Sequence, residues 1–134
     1  MATIKNKYQG QLRTTATHVR SGNEIITDAP VDNNGKGEAF SPTDLVAGAL
    51  SACMMTIMGI KVQQYGFDLD GLESEVIKVM ADKPRKIEEI KINFSWPDCP
   101  ADHDQRAIIK RAAMTCPVAL SLHPDLKQTV TFDF

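Results

Sequence analysis

Three cysteines are the side chains in this sequence best suited to nucleophilic or redox chemistry, because a thiolate is a strong nucleophile. Cys53 lies in the middle of a long apolar stretch, where a free cysteine commonly serves only as a small hydrophobic side chain. Cys116 precedes Pro117, and a residue before proline avoids helical geometry, so the backbone should open there and make the sulfur accessible. Cys99 stands in a proline-flanked loop and is expected to have no role. The residue types alone leave open whether the first two thiols react or only pack.

Other kinds of catalytic or metal site are not indicated. The three histidines, at positions 18, 103 and 123, are scattered, and no two cysteines have the CxxC spacing of a zinc or redox motif. The sequence has no phosphate-binding glycine loop, no GxSxG and no HExxH. We therefore expect neither a metal nor an organic cofactor.

The composition indicates one folded domain. With 134 residues, 43% of them hydrophobic and 24% charged, the chain can bury about two-thirds of its unfolded surface, and we expect a single domain over residues 1–134. A net charge of −2 gives no electrostatic reason to bind nucleic acid or an anionic membrane. The N-terminus lacks the apolar core of a secretory signal and the number of cysteines is odd, which predicts reduced thiols in the cytoplasm.

A long helix is predicted in the first half of the chain. Ser41 can cap its free amides, Pro42 suits the first helical position, and Asp44 can complete a capping box. The residues from Leu45 to Val62 are apolar nearly all round, which fits burial in a core or in a dimer interface. The uncharged run of this stretch would extend roughly 24 Å as a helix, short of the ~30 Å of a bilayer, so we expect no membrane span.

The other elements are strands and a second helix. Strands are predicted over residues 3–9, 11–19, 24–27, 73–80, 90–96 and 128–134, and the strict apolar–polar alternation of residues 90–96 indicates one solvated face. The second helix should begin at Asp102, with Gln105 in its capping box, and place Ile108, Ala112 and Cys116 on one face. The order of elements predicts an α+β fold.

Two segments resemble the OsmC/Ohr family, the osmotically inducible and organic hydroperoxide resistance proteins. One is SPTDLVAGALSACMMTIMGIKVQQYG, which contains Cys53, and the other is TCPVALSL, which contains Cys116. The likeness extends to the N-terminal strands, the TDAP turn and the glycine-bearing loop before Ser41. It implies an OsmC-like fold of antiparallel sheets around a long buried central helix, in an intertwined homodimer.

The resemblance also implies thiol peroxidase chemistry. Cys53 would be the peroxidatic thiol, which attacks the O–O bond of a small organic hydroperoxide and becomes a sulfenic acid. Cys116 would resolve the sulfenic acid to a disulfide. An external dithiol, on a lipoyl protein or a thioredoxin-like protein, would then reduce the disulfide.

One position departs from the family pattern. A thiol in an apolar site is inert unless its thiolate is stabilised. The peroxidase members use an arginine from an early strand, held by a glutamate at the position that is Thr43 here. Arg13 is the better-placed arginine and Arg20 is the other. Asp44 or Glu38 could replace the glutamate, although helix capping by itself explains Asp44.

Three interpretations follow. In the first, the chain is an organic hydroperoxide peroxidase of oxidative stress defence. In the second, which the missing glutamate favours, it is a non-catalytic OsmC-like protein that serves in stress or binds a small ligand and keeps both cysteines without peroxidase turnover. In the third, both thiols only pack the core of a dimer. All three share one expectation, since a helix that is apolar on every side needs a partner subunit to cover it.

Overall fold

The computed structural model describes all 134 residues, which form two compact units, Met1–Val46 and Ala47–Phe134. The elements are β1 (Ile4–Gly10), β2 (Arg13–His18), β3 (Glu24–Asp28), α1 (Pro42–Val62), β4 (Glu73–Asp82), β5 (Arg85–Ser95), α2 (His103–Ala113), α3 (Pro117–Ser121) and β6 (Lys127–Asp133). Short 3-10 turns lie at Val31–Asn33 and Gln63–Tyr65. This confirms the predicted α+β class.

The first unit contains an antiparallel sheet with the strand order β1-β2-β3. Its two turns contain glycines with positive φ, 91° at Gly10 and 76° at Gly22, a conformation that costs glycine little. The amide of Gly22 donates to the carbonyl of His18 at 2.8 Å and closes the β2–β3 turn. This turn sets the register in which Arg13 stands opposite Asp28.

Few apolar side chains are buried in the first unit. Its buried residues are the polar Thr27, Asp28 and Ser41. Its exposed large apolar side chains, besides Met1, are Ile4, Tyr8, Leu12, Ile25, Ile26, Val31, Phe40 and Val46. A sheet is normally covered on its apolar face by another layer. The first unit therefore carries apolar surface that a single chain leaves in contact with water.

Helix α1 begins at the predicted capping box. The hydroxyl of Ser41 accepts a hydrogen bond of 3.0 Å from the backbone amide of Asp44. The carboxylate of Asp44 in turn accepts a hydrogen bond of 3.0 Å from the backbone amide of Ser41. The helix has 21 residues and extends about 32 Å. It is longer than the uncharged run from Leu45 to Ile60 because it also includes Asp44 and Lys61 at the two ends of that run. By length and composition alone it could cross a membrane, a property that core helices of soluble proteins share.

One face of α1 is buried within the chain. The buried residues are Ala47, Leu50, Ser51, Met54, Met58 and Val62, which follow the three- and four-residue spacing of a helix. Only 33% of the apolar stretch is buried, however, and the side chain of Ile60 is 59% exposed. The predicted burial of the whole helix is therefore not reached in a single chain.

The second unit contains a sheet with the order β4-β5-β6. β4 and β5 are antiparallel neighbours, whereas β6 runs parallel to β5 and pairs Val130 with Ile92. The predicted antiparallel arrangement is wrong for this pair. The chain leaves the end of β5, passes through α2 and α3, and returns in the same direction, as parallel strands require.

The apolar core lies in the second unit. Every second side chain from residue 90 to residue 96 is no more than 1% exposed and packs with α1 and α2. These side chains are Ile90, Ile92, Phe94 and Trp96. The predicted alternation in this strand is therefore confirmed. The indole nitrogen of Trp96 donates to the carbonyl of Asp70 at 2.8 Å, which satisfies the one polar group of a buried side chain.

Helix α2 also begins at a predicted capping box. The carboxylate of Asp102 accepts a hydrogen bond of 2.8 Å from the backbone amide of Gln105. The side-chain oxygen of Gln105 accepts a hydrogen bond of 3.0 Å from the backbone amide of Asp102. The buried residues of α2 are Ile109 and Ala113, each one position after the face predicted through Ile108. That predicted face is wrong because the helix ends at Ala113 and does not continue to the second cysteine.

Candidate functional site

Cys53 and Cys116 come together in the second unit. Cys53 lies on α1 and is partly exposed, whereas Cys116 lies between α2 and α3 and is fully buried. The side chain of Cys53 lies near enough to the Cys116 thiol to contribute to raising its pKa, and neither cysteine is in a disulfide. The prediction that Cys116 would be accessible is wrong for the sulfur, although the helix break predicted there is present.

The break before Pro117 explains how Cys116 is held. Cys116 is extended, with φ −66° and ψ 144°, and α3 begins at the proline. The sulfur accepts a hydrogen bond of 3.3 Å from the backbone amide of Ala119 and so caps the N-terminus of α3. Backbone geometry and the cap together fix the direction of the sulfur.

The environment of Cys116 favours its neutral form. Burial raises the pKa of the Cys116 thiol, and the hydrogen bond and charge at Cys53 act in the same direction. The amides of Ala119 and Val118 oppose the change, because they stabilise the thiolate. The pKa remains raised, which favours the protonated form of Cys116 at neutral pH.

Cys99 is held by its backbone in a different place. Its carbonyl accepts a hydrogen bond of 3.0 Å from Nη2 of Arg106. Nε of the same guanidinium donates a hydrogen bond of 2.8 Å to the carbonyl of Ala101. Its amide donates to the carbonyl of Trp96 at 3.3 Å. These bonds give Cys99 a structural position in the loop before α2.

No group of three or more histidine, cysteine or carboxylate side chains is arranged to hold a metal ion.

Arg13 forms a two-bonded ion pair in the first unit. Its Nε donates to Oδ1 of Asp28 at 2.7 Å, and its Nη2 donates to Oδ2 at 2.8 Å. The side chain of Asp28 is 1% exposed and that of Arg13 is 28% exposed. The hydrogen bonds raise the pKa of Arg13 and lower the pKa of Asp28. Both side chains are therefore charged at neutral pH.

The two carboxylates predicted to orient Arg13 have different surroundings. Oε2 of Glu38 lies 3.5 Å from Nη2 of Arg13, and the amide of Glu38 donates to Asp28 at 3.2 Å. The carboxylate of Asp44 takes part in the capping box of α1. Arg20, the alternative arginine, is exposed in the turn between β2 and β3.

Asp28 is the residue of this cluster that the sequence reasoning missed. Pairing the strands outward from the predicted turn at residues 21–23 would place Asp28 opposite Ala16. In the observed register Thr17 pairs with Glu24, which places Asp28 opposite Arg13, so the local turn signal did not identify it. Side chains at directly opposed positions lie on the same face of a sheet and can pair.

Comparison of the sequence with protein families gives one match. A family described as OsmC-like protein matches residues 35–131, a span that includes Cys53, Cys99 and Cys116. No curated protein matches the chain.

Solved structures give further matches. A Psychrobacter arcticus protein, provisionally described as an osmotic stress induced and detoxification response protein, is 52% identical with a TM-score of 0.93, over 98% of this chain and 96% of that chain. The organic hydroperoxide resistance protein OsmC of Legionella pneumophila is 16% identical with a TM-score of 0.72, over 100% and 98%. The organic hydroperoxide resistance protein OhrB of Bacillus subtilis is 15% identical with a TM-score of 0.66, over 99% and 98%. The last two share the fold of this chain.

Proposed function

Because the chain belongs to the OsmC-like protein family, we propose that it is a thiol-dependent peroxidase that reduces small organic hydroperoxides in oxidative stress defence. The observation that carries this proposal is the interacting thiol pair of Cys53 and Cys116. One sulfur of the pair is partly exposed and the other is buried and protonated, as an attacking and a resolving thiol would be. Proteins of this fold that are named for organic hydroperoxide resistance support the class of substrate.

Cys53 carries the first step. Its thiolate attacks one oxygen of the hydroperoxide, so a sulfur–oxygen bond forms and the O–O bond breaks. The alkoxide leaves and takes up a proton to become an alcohol. The sulfur loses two electrons to the peroxide and becomes a sulfenic acid. Cys53 suits this step because it is the more exposed thiol of the pair.

Cys116 carries the second step. Its sulfur attacks the sulfenic sulfur of Cys53, so a disulfide forms and the sulfur–oxygen bond breaks. The hydroxyl group leaves as water with the proton of Cys116. The raised pKa of Cys116 keeps that proton available until this step. The contribution of Cys53 to the pKa of Cys116 supports this step, because it requires the two thiols to be neighbours.

An external dithiol closes the cycle. Two thiol–disulfide exchanges return two electrons to the Cys53–Cys116 disulfide and leave the external partner oxidised. A lipoyl protein or a thioredoxin-like protein has the required pair of thiols. Either reductant would operate in the cytoplasm, which we propose as the location of the chain.

Arg13 is assigned to the activation of Cys53. A thiolate beside apolar side chains needs a nearby positive charge. Arg13 is the arginine of an early strand that the family resemblance implies, and its pKa is raised, so it is always charged. In this proposal Glu38 helps to orient Arg13, because its carboxylate lies 3.5 Å from the guanidinium. Asp44 contributes by capping the start of α1, the helix that carries Cys53.

A homodimer is part of the proposal. Only 33% of the apolar stretch of α1 is buried in one chain, and the first unit exposes apolar side chains such as Tyr8 and Phe40. Exposed apolar area of this extent usually marks an interface. A second copy of the chain is the partner that the family resemblance implies.

A second candidate function is a stress or ligand-binding protein without peroxidase turnover. The observation that favours it is Thr43, which stands where peroxidase members have a glutamate that holds the arginine. The two candidates share the fold and the thiols, and they differ in whether Cys53 reacts with a hydroperoxide.

Mass spectrometry of the reduced protein decides between them. One equivalent of cumene hydroperoxide is expected to remove two hydrogens and produce a Cys53–Cys116 bridge. Cys53→Ser should not react, Cys116→Ser should stop at a sulfenic acid that dimedone traps, and Cys99→Ser should behave as the wild type. If both thiols of the wild type stay reduced for many minutes, the second candidate replaces the first.

A further inference from the structure

Gln128 is a polar residue at an apolar position of β6. It is paired in register with the fully buried Ile90 of β5, and the residues that follow it on the same face are Val130 and Phe132. A polar side chain turned toward a core needs a hydrogen-bond partner, because its loss of water is otherwise not compensated. The partner is in α3, where the carbonyl of Ala119 accepts a hydrogen bond of 3.0 Å from Nε2 of Gln128.

Helix α3 is too short to be stable without such contacts. It has only five residues, and an isolated helix of that length does not form in water because nucleation is costly. The last four carbonyls of a helix lack partners within it, and the carbonyl of Ala119 is among them. Val118 and Leu122 pack against the core and hold α3 in place without fixing a direction. Gln128 adds a directional bond from a strand of the sheet.

Ala119 connects Gln128 to the sulfur of Cys116. Its amide donates a hydrogen bond of 3.3 Å to that sulfur, while its carbonyl accepts the bond from Gln128. A backbone residue that is bonded at both its amide and its carbonyl cannot turn without breaking one of the two bonds. Loss of the Gln128 amide therefore frees the backbone that directs the Cys116 sulfur.

We propose that Gln128 is a positioning residue that holds Cys116, through Ala119, in the direction needed to form the disulfide with Cys53. The inference rests on the proposed function, in which the Cys116 sulfur attacks the sulfenic acid of Cys53 and water leaves. That attack depends on the direction of the Cys116 sulfur. The preceding attack of Cys53 on the hydroperoxide does not use Cys116, so it should not depend on Gln128.

Two other roles for Gln128 lead to different results. If the bond only stabilises the fold, its loss lowers the folded fraction and leaves both steps unchanged in each folded molecule. If the bond holds Cys116 back in its buried position, its loss makes the disulfide form faster. Only a positioning role makes the second step slower while the first step keeps its rate.

The first experiment follows both steps in Gln128→Met and Gln128→Glu. Methionine keeps the unbranched length of glutamine, glutamate keeps its shape, and at neutral pH neither has an N–H group to donate. Thr131→Val is the matched control, because it removes a side-chain bond of 2.7 Å from β6 to Asn93 and not to α3. Each reduced protein is mixed with one equivalent of cumene hydroperoxide at pH 7 and quenched in acid at intervals. Mass spectrometry separates the sulfenic acid, which gains one oxygen, from the disulfide, which loses two hydrogens.

Both Gln128 variants are expected to form the disulfide about 10-fold more slowly than the wild type, since a misplacement of about 1 Å can cost up to about 100-fold in rate. The sulfenic acid of Cys53 should form at the wild-type rate and accumulate. Thr131→Val should match the wild type in both steps. Circular dichroism gives the folded fraction, and each rate is expressed per folded molecule. Disulfide formation at the wild-type rate, or faster, overturns the inference.

The second experiment needs no hydroperoxide. Cys53→Ser is the background, so that the more exposed thiol does not react first, and iodoacetamide labels the two buried thiols of the native protein. Gln128→Met should label Cys116 about fivefold faster, the change in a local opening equilibrium that loss of one typical hydrogen bond produces. Cys99 is the internal control, because Arg106 holds its loop in a different place. Equal acceleration of Cys99 and Cys116 would indicate global destabilisation and would overturn the inference.

The two experiments separate this inference from the proposed function. If the wild type does not react with the hydroperoxide but Gln128→Met selectively accelerates labelling of Cys116, the peroxidase proposal fails and Gln128 still holds Cys116. If the wild type forms the disulfide and Gln128→Met equals Thr131→Val in both experiments, the peroxidase stands and the role of Gln128 fails.

Discussion

The sulfur of Cys116 accepts a hydrogen bond from the amide of Ala119 at 3.3 Å, so one atom both caps α3 and belongs to the thiol pair. The cap tends to lower the pKa of the thiol, while burial and Cys53 raise it. Because these causes come from different residues, they can be removed one at a time.

The first prediction concerns Cys53→Ala. This change removes the hydrogen-bond partner and the nearby charge but leaves the burial of Cys116, so the pKa of Cys116 should fall toward its ordinary value and stay above it. The pH at which iodoacetamide labels half of Cys116 should therefore be lower than in the wild type. Labelling of the buried Cys99 in the same sample is the internal control. An unchanged midpoint for Cys116 would show that Cys53 does not act on it.

The second prediction is a pH dependence of stability. Arg13 lowers the pKa of Asp28 in the folded protein below the unfolded value of about 3.9. The ion pair therefore stabilises the folded state fully above about pH 4 and loses its effect as the pH falls through the folded-state pKa. Urea denaturation should show Asp28→Asn to be less stable than the wild type at pH 7, with a difference that shrinks below about pH 4.

Glu24→Gln is the control for this dependence. Its carboxylate bonds to Thr17 at 3.1 Å in an exposed position, where such a bond contributes little. The variant should match the wild type in free energy of unfolding at neutral pH. A difference between Asp28→Asn and the wild type that is as large at pH 3 as at pH 7 would contradict the assignment of the effect to charge.

The third prediction concerns the start of α1. Asp44→Ala removes one half of the capping box with Ser41 and should lower the free energy of unfolding by about 1 kcal/mol. Thermal and urea denaturation measure the change. Gln105→Ala removes the corresponding half of the box at α2 and should cost a similar amount. A loss for Asp44→Ala several times that of Gln105→Ala would indicate that its carboxylate does more than cap the helix.

The fourth prediction tests the dimer. Light scattering at micromolar concentration should give twice the 14.8 kDa mass of one chain. Ile60→Lys should shift the mass toward the monomer, because this side chain is 59% exposed on α1 in one chain and would be buried against a second copy. A monodisperse monomer for the wild type would refute the proposal.

Local signals in the sequence predicted most elements of the fold. The reciprocal capping at Ser41 and Asp44 depends on residues three apart, and it is present as predicted. The alternation from Ile90 to Trp96 likewise depends only on neighbouring residues, and the buried face is the predicted one. These features could be predicted because the chemistry that causes them acts over a few positions.

Features that depend on distant residues were not predicted. The pairing of β6 parallel to β5 depends on the path of the chain between them, which no local pattern records. The buried position of the Cys116 sulfur depends on how that connection packs, although the helix break at Pro117 is local. Asp28 was missed because its importance comes from its cross-strand partner Arg13 and not from its neighbours in sequence.

The parallel pairing of β6 with β5 has a consequence for the order of folding. The segment that carries Cys116 is a loop that closes only when the last strand docks, and Gln128 of β6 fastens it with a bond to the carbonyl of Ala119 at 3.0 Å. Pairing of strands distant in sequence is a slow event, because the loop entropy is lost before the contacts form. We therefore expect Cys116 to be held firmly in its place only late in folding, once β6 has paired with β5.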